Sequence, residues 1–174
     1  MHIALIYSKF QDLDQSSVSI NLKRPSIMKN TVRSIQKALE ANHHTVVAIE
    51  ANTQLLETLE NNQDIDLLFN LSTGISDKRS QANIVGLLEM TQIPMVGSRL
   101  ATHVLALHKE MTKSLLKAHN IPTARFQLIY DETDTIRKDM NFPLIVKPEH
   151  EGSGIGITET SVVHTPVQLK ETIQ

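Results

Sequence analysis

The sequence predicts an α/β protein: a small doubly wound parallel sheet over residues 1–98, followed by an α+β part over residues 99–174 that stops before it is complete. Three observations carry this. Short, near-continuous apolar runs alternate with stretches whose apolar residues recur at helical spacing, and such alternation implies parallel strands joined by helical crossovers. After "MVGS" the pattern changes to two successive helical stretches and then a strand–loop–strand arrangement. Finally, the last helical pattern runs to Gln174 with no terminating glycine or basic last turn, so the chain is expected to be part of a longer one.

In order, "HIALIY" (2–7) reads as a strand covered on both faces. Residues 25–41 place Ile27, Val32, Ile35, Ala38 and Leu39 on one helical stripe. "HTVVAIE" (44–50) is β-branched and short, hence a strand. Leu55, Leu56 and Leu59 mark a short helix, and "IDLLFNLS" (65–72) is a third buried strand. Ile84, Val85, Leu87 and Leu88 form the next helix, and Met90 and Met95 are assigned to the core. Beyond it, 100–107 and 109–120 read as helices, and 121–130 as a turn and a strand. Residues 131–140 suggest a short helix, with Asp131, Glu132 and Asp134 at its start, where acids suit the dipole. "FPLIVK", a glycine loop and "GITETSVV" make the strand–loop–strand unit, and Thr165 with Pro166 opens the last helix.

Composition excludes several function classes. With 40% hydrophobic and 21% charged residues and a net charge of −2, the chain is an ordinary globular one. Aromatic residues are 3% and the basic residues are scattered, so no nucleic-acid surface is expected. No stretch approaches the roughly 18 apolar residues of a membrane span, and a cytoplasmic location is expected. Cysteine is absent, which removes thiolate chemistry. The adjacent His43 and His44 read as a helix-to-strand turn rather than a metal site.

The segment "FPLIVKPEHEGSGIGI" (142–157) carries the functional question. Glycine amides approach phosphate oxygens closely because no Cβ intervenes, and Lys147 supplies countercharge. The residues alone equally allow an exposed β-turn beside a surface lysine. The pattern Gly152, Gly154, Gly156 lacks the spacing of the dinucleotide fingerprint, and the flanking strands are unlike a Walker-type P-loop. "NLSTG" (70–74) lies where open α/β sheets place ligands, so Asn70 and Ser72 are candidates for a substrate crevice, with a capped loop as the plain alternative.

Four ordered stretches, "DLLFNLSTG", "QANIVGLLEMTQIPMVGS", "HKEMTKSLLKAHNIPTARF" and "FPLIVKPEHEGSGIGI", resemble the ATP-grasp enzymes, in particular the D-alanine–D-alanine ligases. The resemblance implies a Rossmann-like pre-ATP-grasp domain followed by the first part of the nucleotide-binding domain. It implies that Lys109 and Lys147 contact ATP phosphates and that Gly152, Ser153, Gly154 and Gly156 form the loop folding over them, with Ser153 orienting substrate as a catalytic residue. It further implies ATP and Mg2+ as cofactors, small amino-acid-like substrates, and ligation of a carboxylate to an amine through an acyl phosphate; a homodimer is compatible with it. The family's magnesium ligands are expected beyond Gln174, so this chain alone is expected to be inactive.

Departures from the family pattern favour a related amino-acid or peptide ligase over a dedicated D-alanine enzyme. "YSKFQDLDQSS" lacks the glycine-rich loop with its substrate-binding glutamate, and "LSTGISDKRS" replaces the family's "HG" segment. His108 stands where the family commonly has aspartate, and Gly154 where it often has serine. The alternative is a non-catalytic α/β binding module whose glycine loop is a hairpin turn.

Overall fold

The computed structural model describes residues 1–8, 24–75, 81–131, 133–152, 154 and 156–173, with the backbone alone for 24–28. These fall into two compact units, Met1–His103 and Val104–Gln174.

The first unit is built on β1 (His2–Ser8), whose run of apolar residues pairs in parallel with β2 (Thr45–Ala51) on one edge and β3 (Leu67–Asn70) on the other. β4 (Met95–Val96) pairs in parallel with β3, giving the order β2-β1-β3-β4. Each crossover is helical: α1 (Arg24–Ala41), α2 (Leu55–Glu60) and α3 (Gln81–Met90). Alternation along a strand sends Ala4 and Ile6 to one face, where they join Leu55, Leu59, Leu68, Ile84 and Leu88 in the core. Ile3 and Leu5, also fully buried, occupy the opposite face, and α1 buries Val32. A strand covered on both faces reads as a continuous apolar run, which is why "HIALIY" was legible.

Helix ends follow from local chemistry. After α1, the amide of His44 donates to the Leu39 carbonyl (3.2 Å) and that of His43 to the Glu40 carbonyl (3.0 Å). This is a Schellman stop, and His43 occupies its left-handed position at φ 63°. The expected helix-to-strand turn is thus present. Thr91 ends α3 and Gln92 takes the same left-handed conformation, φ 60°. The helix α4 (Leu100–Leu107) is capped by Glu89, whose carboxylate accepts from the Leu100 amide (3.2 Å) and from Arg99 Nε (2.8 Å). The Arg99 hydrogen bond holds the Glu89 carboxyl below its ordinary pKa.

Met90 corrects one expectation: it is 74% exposed. At 100° per residue it lies across the helix from the buried stripe of Ala82, Val85 and Leu88. Met95 is half-buried against the core.

The second unit contains the end of α4, α5 (Lys109–Ala118), a hairpin of β5 (Leu144–Ile145) and β6 (Val162–Val163), and α6 (Pro166–Ile173). The two strands pair antiparallel, Leu144 opposite Val163 and Ile145 opposite Val162. Val163 and Leu169 are buried, whereas Ile145 and Val162 form an exposed pair on the other face. Thr165 caps α6 as expected: its hydroxyl accepts from the Gln168 amide at 3.2 Å, with Pro166 at the first helical position.

Three expected elements differ. No strand forms in 121–130 and no helix in the described part of 131–140; Glu132 lies outside the described residues. Side chains take the backbone partners that regular structure would have used. Gln127 donates from Nε2 to the Thr135 carbonyl (2.9 Å) and accepts from the Arg137 amide (2.8 Å). Asp134 accepts from the Tyr130 amide (2.7 Å), and Asp131 from that of Thr133 (2.7 Å). In "GITETSVV" only β6 is strand. Thr158 and Ser161 form a reciprocal capping box around a 3-10 turn, Glu159–Ser161, with Ser161 buried. Among the described residues no helix is long and apolar enough to cross a membrane.

Two outcomes test this packing. Leu68→Ala, at a fully buried site, should lower unfolding free energy by about 2–5 kcal/mol in urea titration, while Leu115→Ala, 43% exposed, should cost far less. His43→Gly should raise it by about 0.5–1 kcal/mol, because glycine carries no Cβ penalty at the left-handed position.

Candidate functional site

In the first unit the candidate residues gather at the carboxyl end of the sheet. Strand order reverses between β1 and β3, and open α/β sheets bind ligands at such a point. A crevice of about 260 Å³ opens there, lined in part by Asn70, Ser72, Thr73, Gln81, Gly97 and His103. Pockets for drug-sized ligands run from roughly 300 to 1,000 Å³, so this one suits a molecule smaller than a nucleotide.

Asn70 and Ser72 both reach the crevice, but much of their hydrogen-bonding capacity is committed. The Ser72 amide donates to Asn70 Oδ1 (2.9 Å), an Asx turn that shapes the exit from β3. Ser72 is buried, and its hydroxyl lies 3.1 Å from Ser8 Oγ and accepts from the Gly74 amide at 3.2 Å. Ser8 was not singled out in the sequence. Its hydroxyl donates to the Gly74 carbonyl (2.7 Å) and accepts from the Thr73 amide (2.8 Å), pinning the loop after β3 to the end of β1. The signal for Ser8 and His103 is topological: nothing in their local sequence marks them.

In the second unit the glycine segment is organised around Lys109. Lys109 is the first residue of α5, and its ammonium donates to the carbonyls of Pro148 (2.6 Å), Glu149 (3.0 Å) and Glu151 (2.5 Å). An ammonium has three donors, so the clamp uses all of them. Glu149 completes it from the other side: its carboxylate accepts from the Glu110 amide at 3.0 and 3.3 Å, capping the first turn of α5, where negative charge is favoured. Lys147, adjacent to the clamped segment, is exposed and has no partner among the described residues.

Gly152, Gly154 and Gly156 follow, all exposed; Ser153 lies outside the described residues. Gly154 and Gly156 have φ of 73° and 70°. A Cβ on Gly156 would stand 2.6 Å from Pro148 Cγ, so the backbone folds directly over that proline ring. Nothing lies within 4 Å of a Cβ built on Gly152 or Gly154. The structure thus brings Lys109, Lys147 and the described glycines to the same part of the second unit, where Lys109 is engaged and Lys147 has no partner among the described residues. Sequence reading passed over Glu149 and His150; beside them His108 completes a group of imidazoles and a carboxylate.

No family model matches the chain. An uncharacterized protein of Sinorhizobium fredii, y4sG, is 30% identical over 148 residues, 81% of this chain and 43% of its own length. The D-alanine–D-alanine ligase of Pseudomonas entomophila is 35% identical over 130 residues, 74% of this chain and 40% of its own. The crystal structure of the D-alanine–D-alanine ligase from Bacillus anthracis matches with a TM-score of 0.69 at 26% identity, covering 98% of this chain and 52% of that one. A second structure of that enzyme, complexed with ATP, shares the fold at a TM-score of 0.67 and 24% identity. The matched part spans about two fifths of the length of these two curated relatives. The chain's homologues are D-alanine–D-alanine ligases, and it corresponds to part of their length.

Proposed function

We propose that this chain supplies the phosphate-gripping segment and a small-substrate crevice of an ATP-dependent carboxylate–amine ligase. The observation that carries the reading is the glycine segment held over Pro148 by the Lys109 clamp, beside Lys147, which has no partner among the described residues. Homology to D-alanine–D-alanine ligases supplies the reaction class, and ATP is found in a neighbour of the same fold.

The reaction would run in two steps. A substrate carboxylate oxygen takes the γ-phosphoryl group of ATP and ADP leaves; an amine then attacks the acyl carbon, phosphate departs with the C–O electron pair, the nitrogen's proton passes to phosphate or solvent, and an amide remains. Little covalent chemistry falls to the protein in such transfers, so positioning and charge stabilisation dominate. Lys147 would offset charge on the phosphates, and the amides of Gly152, Gly154 and Gly156 would donate to their oxygens. Lys109, with its donors committed to carbonyls, shapes the segment in this conformation and would reach phosphate only by exchanging those carbonyls. Ser153 remains a proposed substrate-orienting residue. The crevice at Asn70 and Ser72 would take an amino-acid-sized substrate, its carboxylate favoured at the N-terminal end of α3. A cytoplasmic setting fits such chemistry.

Magnesium does not fit the metal-capable group that the described residues provide. That group is His108, Glu149 and His150, with a single carboxylate, whereas Mg2+ prefers oxygen ligands in octahedral array.

ATP titration followed by thermal unfolding tests the reading. ATP should raise the melting temperature, and Lys147→Ala should weaken ATP binding by about tenfold or more, the scale of one hydrogen bond to a charged group. Unchanged affinity in Lys147→Ala would overturn the phosphate role. Without the remaining length of its relatives, the 174-residue chain should release no ADP when amino acids are added. Amino-acid-dependent ADP release in a coupled assay would contradict that expectation.

A further inference from the structure

We propose that His108, Glu149 and His150 form a binding site for a divalent transition metal of the zinc class, separate from any magnesium bound with nucleotide. Ligand atoms of the three side chains all lie within 4.8 Å of one another. The imidazoles meet edge to face, with centroids 4.4 Å apart and planes at 71°. Paired imidazoles alone would be ordinary packing; here a carboxylate joins them and one nitrogen lacks a partner. Nδ1 of His150 is shielded from solvent with no hydrogen-bond partner among the described residues. Leaving a shielded polar atom unsatisfied is unfavourable, and a metal ion would relieve that cost.

The site is held in place before any ion arrives. His108 is the residue preceding α5 and makes no side-chain cap hydrogen bond, so its ring is not committed to the helix end. Glu149 takes the capping role, and the Glu110 amide that holds its carboxylate is the kind of outer-shell donor that orients a metal ligand. The Lys109 clamp fixes the backbone on both sides of His150 through the carbonyls of Glu149 and Glu151. Charge is also favourable: residues 108–110 and 148–151 carry Glu110, Glu149 and Glu151 against Lys109 alone.

Donor chemistry selects the ion. Two imidazole nitrogens and one carboxylate oxygen suit Zn2+, Ni2+, Cu2+ or Co2+, and are a poor match for Mg2+ or Ca2+. Zinc bonds of roughly 2.0–2.2 Å place tetrahedral ligand atoms about 3.3 Å apart, so side-chain shifts of the order of 1 Å would close the site. Three protein ligands leave a fourth position for water or a ligand oxygen.

Equilibrium dialysis of the purified 174-residue chain against Zn2+, with Mg2+ as competitor, tests the site. One Zn2+ should bind per chain and survive a large excess of Mg2+. His108→Asn and His150→Gln should each weaken binding by about tenfold or more. His119→Asn, at the far end of α5, should bind as the wild type does. Absence of Zn2+ binding, equal displacement by Mg2+, or wild-type affinity in both ligand variants would overturn the proposal. Far-UV spectra without metal report the fold of each variant. The competition on the wild type needs no variant, so loss of folding in one would still leave the site decided.

Discussion

Double burial of β1 is the constraint on which the first unit depends. Both edges of the strand are paired and both faces are covered, so every backbone group and every apolar side chain from Ile3 to Ile6 has its place fixed. The carboxyl end of such a strand is where the order of the sheet reverses, and Ser8 stands there. One hydroxyl then holds the loop after β3, so the crevice inherits its shape from a strand paired on both edges and buried on both faces.

The second unit solves a different problem. Among its described residues few apolar side chains are buried, too few to fix a glycine-rich segment by packing. It uses charge-assisted hydrogen bonds instead: one ammonium gathers three carbonyls, and one carboxylate caps the helix on which that ammonium sits. Such bonds are stronger than neutral ones, and they act on the backbone directly. Lys109 is therefore as much a part of the architecture as of any nucleotide chemistry.

The parallel sheet was readable in the sequence because buried strands leave continuous apolar runs and amphipathic helices leave stripes. Met90 misled because hydrophobicity alone does not say which side of a stripe a residue takes at a helix end. Residues 121–140 misled for another reason: Gln127, Asp131 and Asp134 supply hydrogen bonds that no periodicity records. The glycine segment and its lysines were legible as a pattern. That Lys109 would be engaged and Lys147 open was not, because it depends on where the carbonyls of 148–151 point. His108 and His150 are far apart along the chain, and only the fold makes neighbours of them.

The approach of Gly156 to Pro148 links the history of the two positions. Two separate conditions hold residue 156 to glycine, its left-handed backbone and the ring beneath it. Replacing Pro148 by a smaller residue would lift the second and leave the first. Tolerance at 156 would therefore not follow from change at 148 alone, and drift through this turn should proceed by alteration of the proline first, with the glycine the last residue of the pair free to vary.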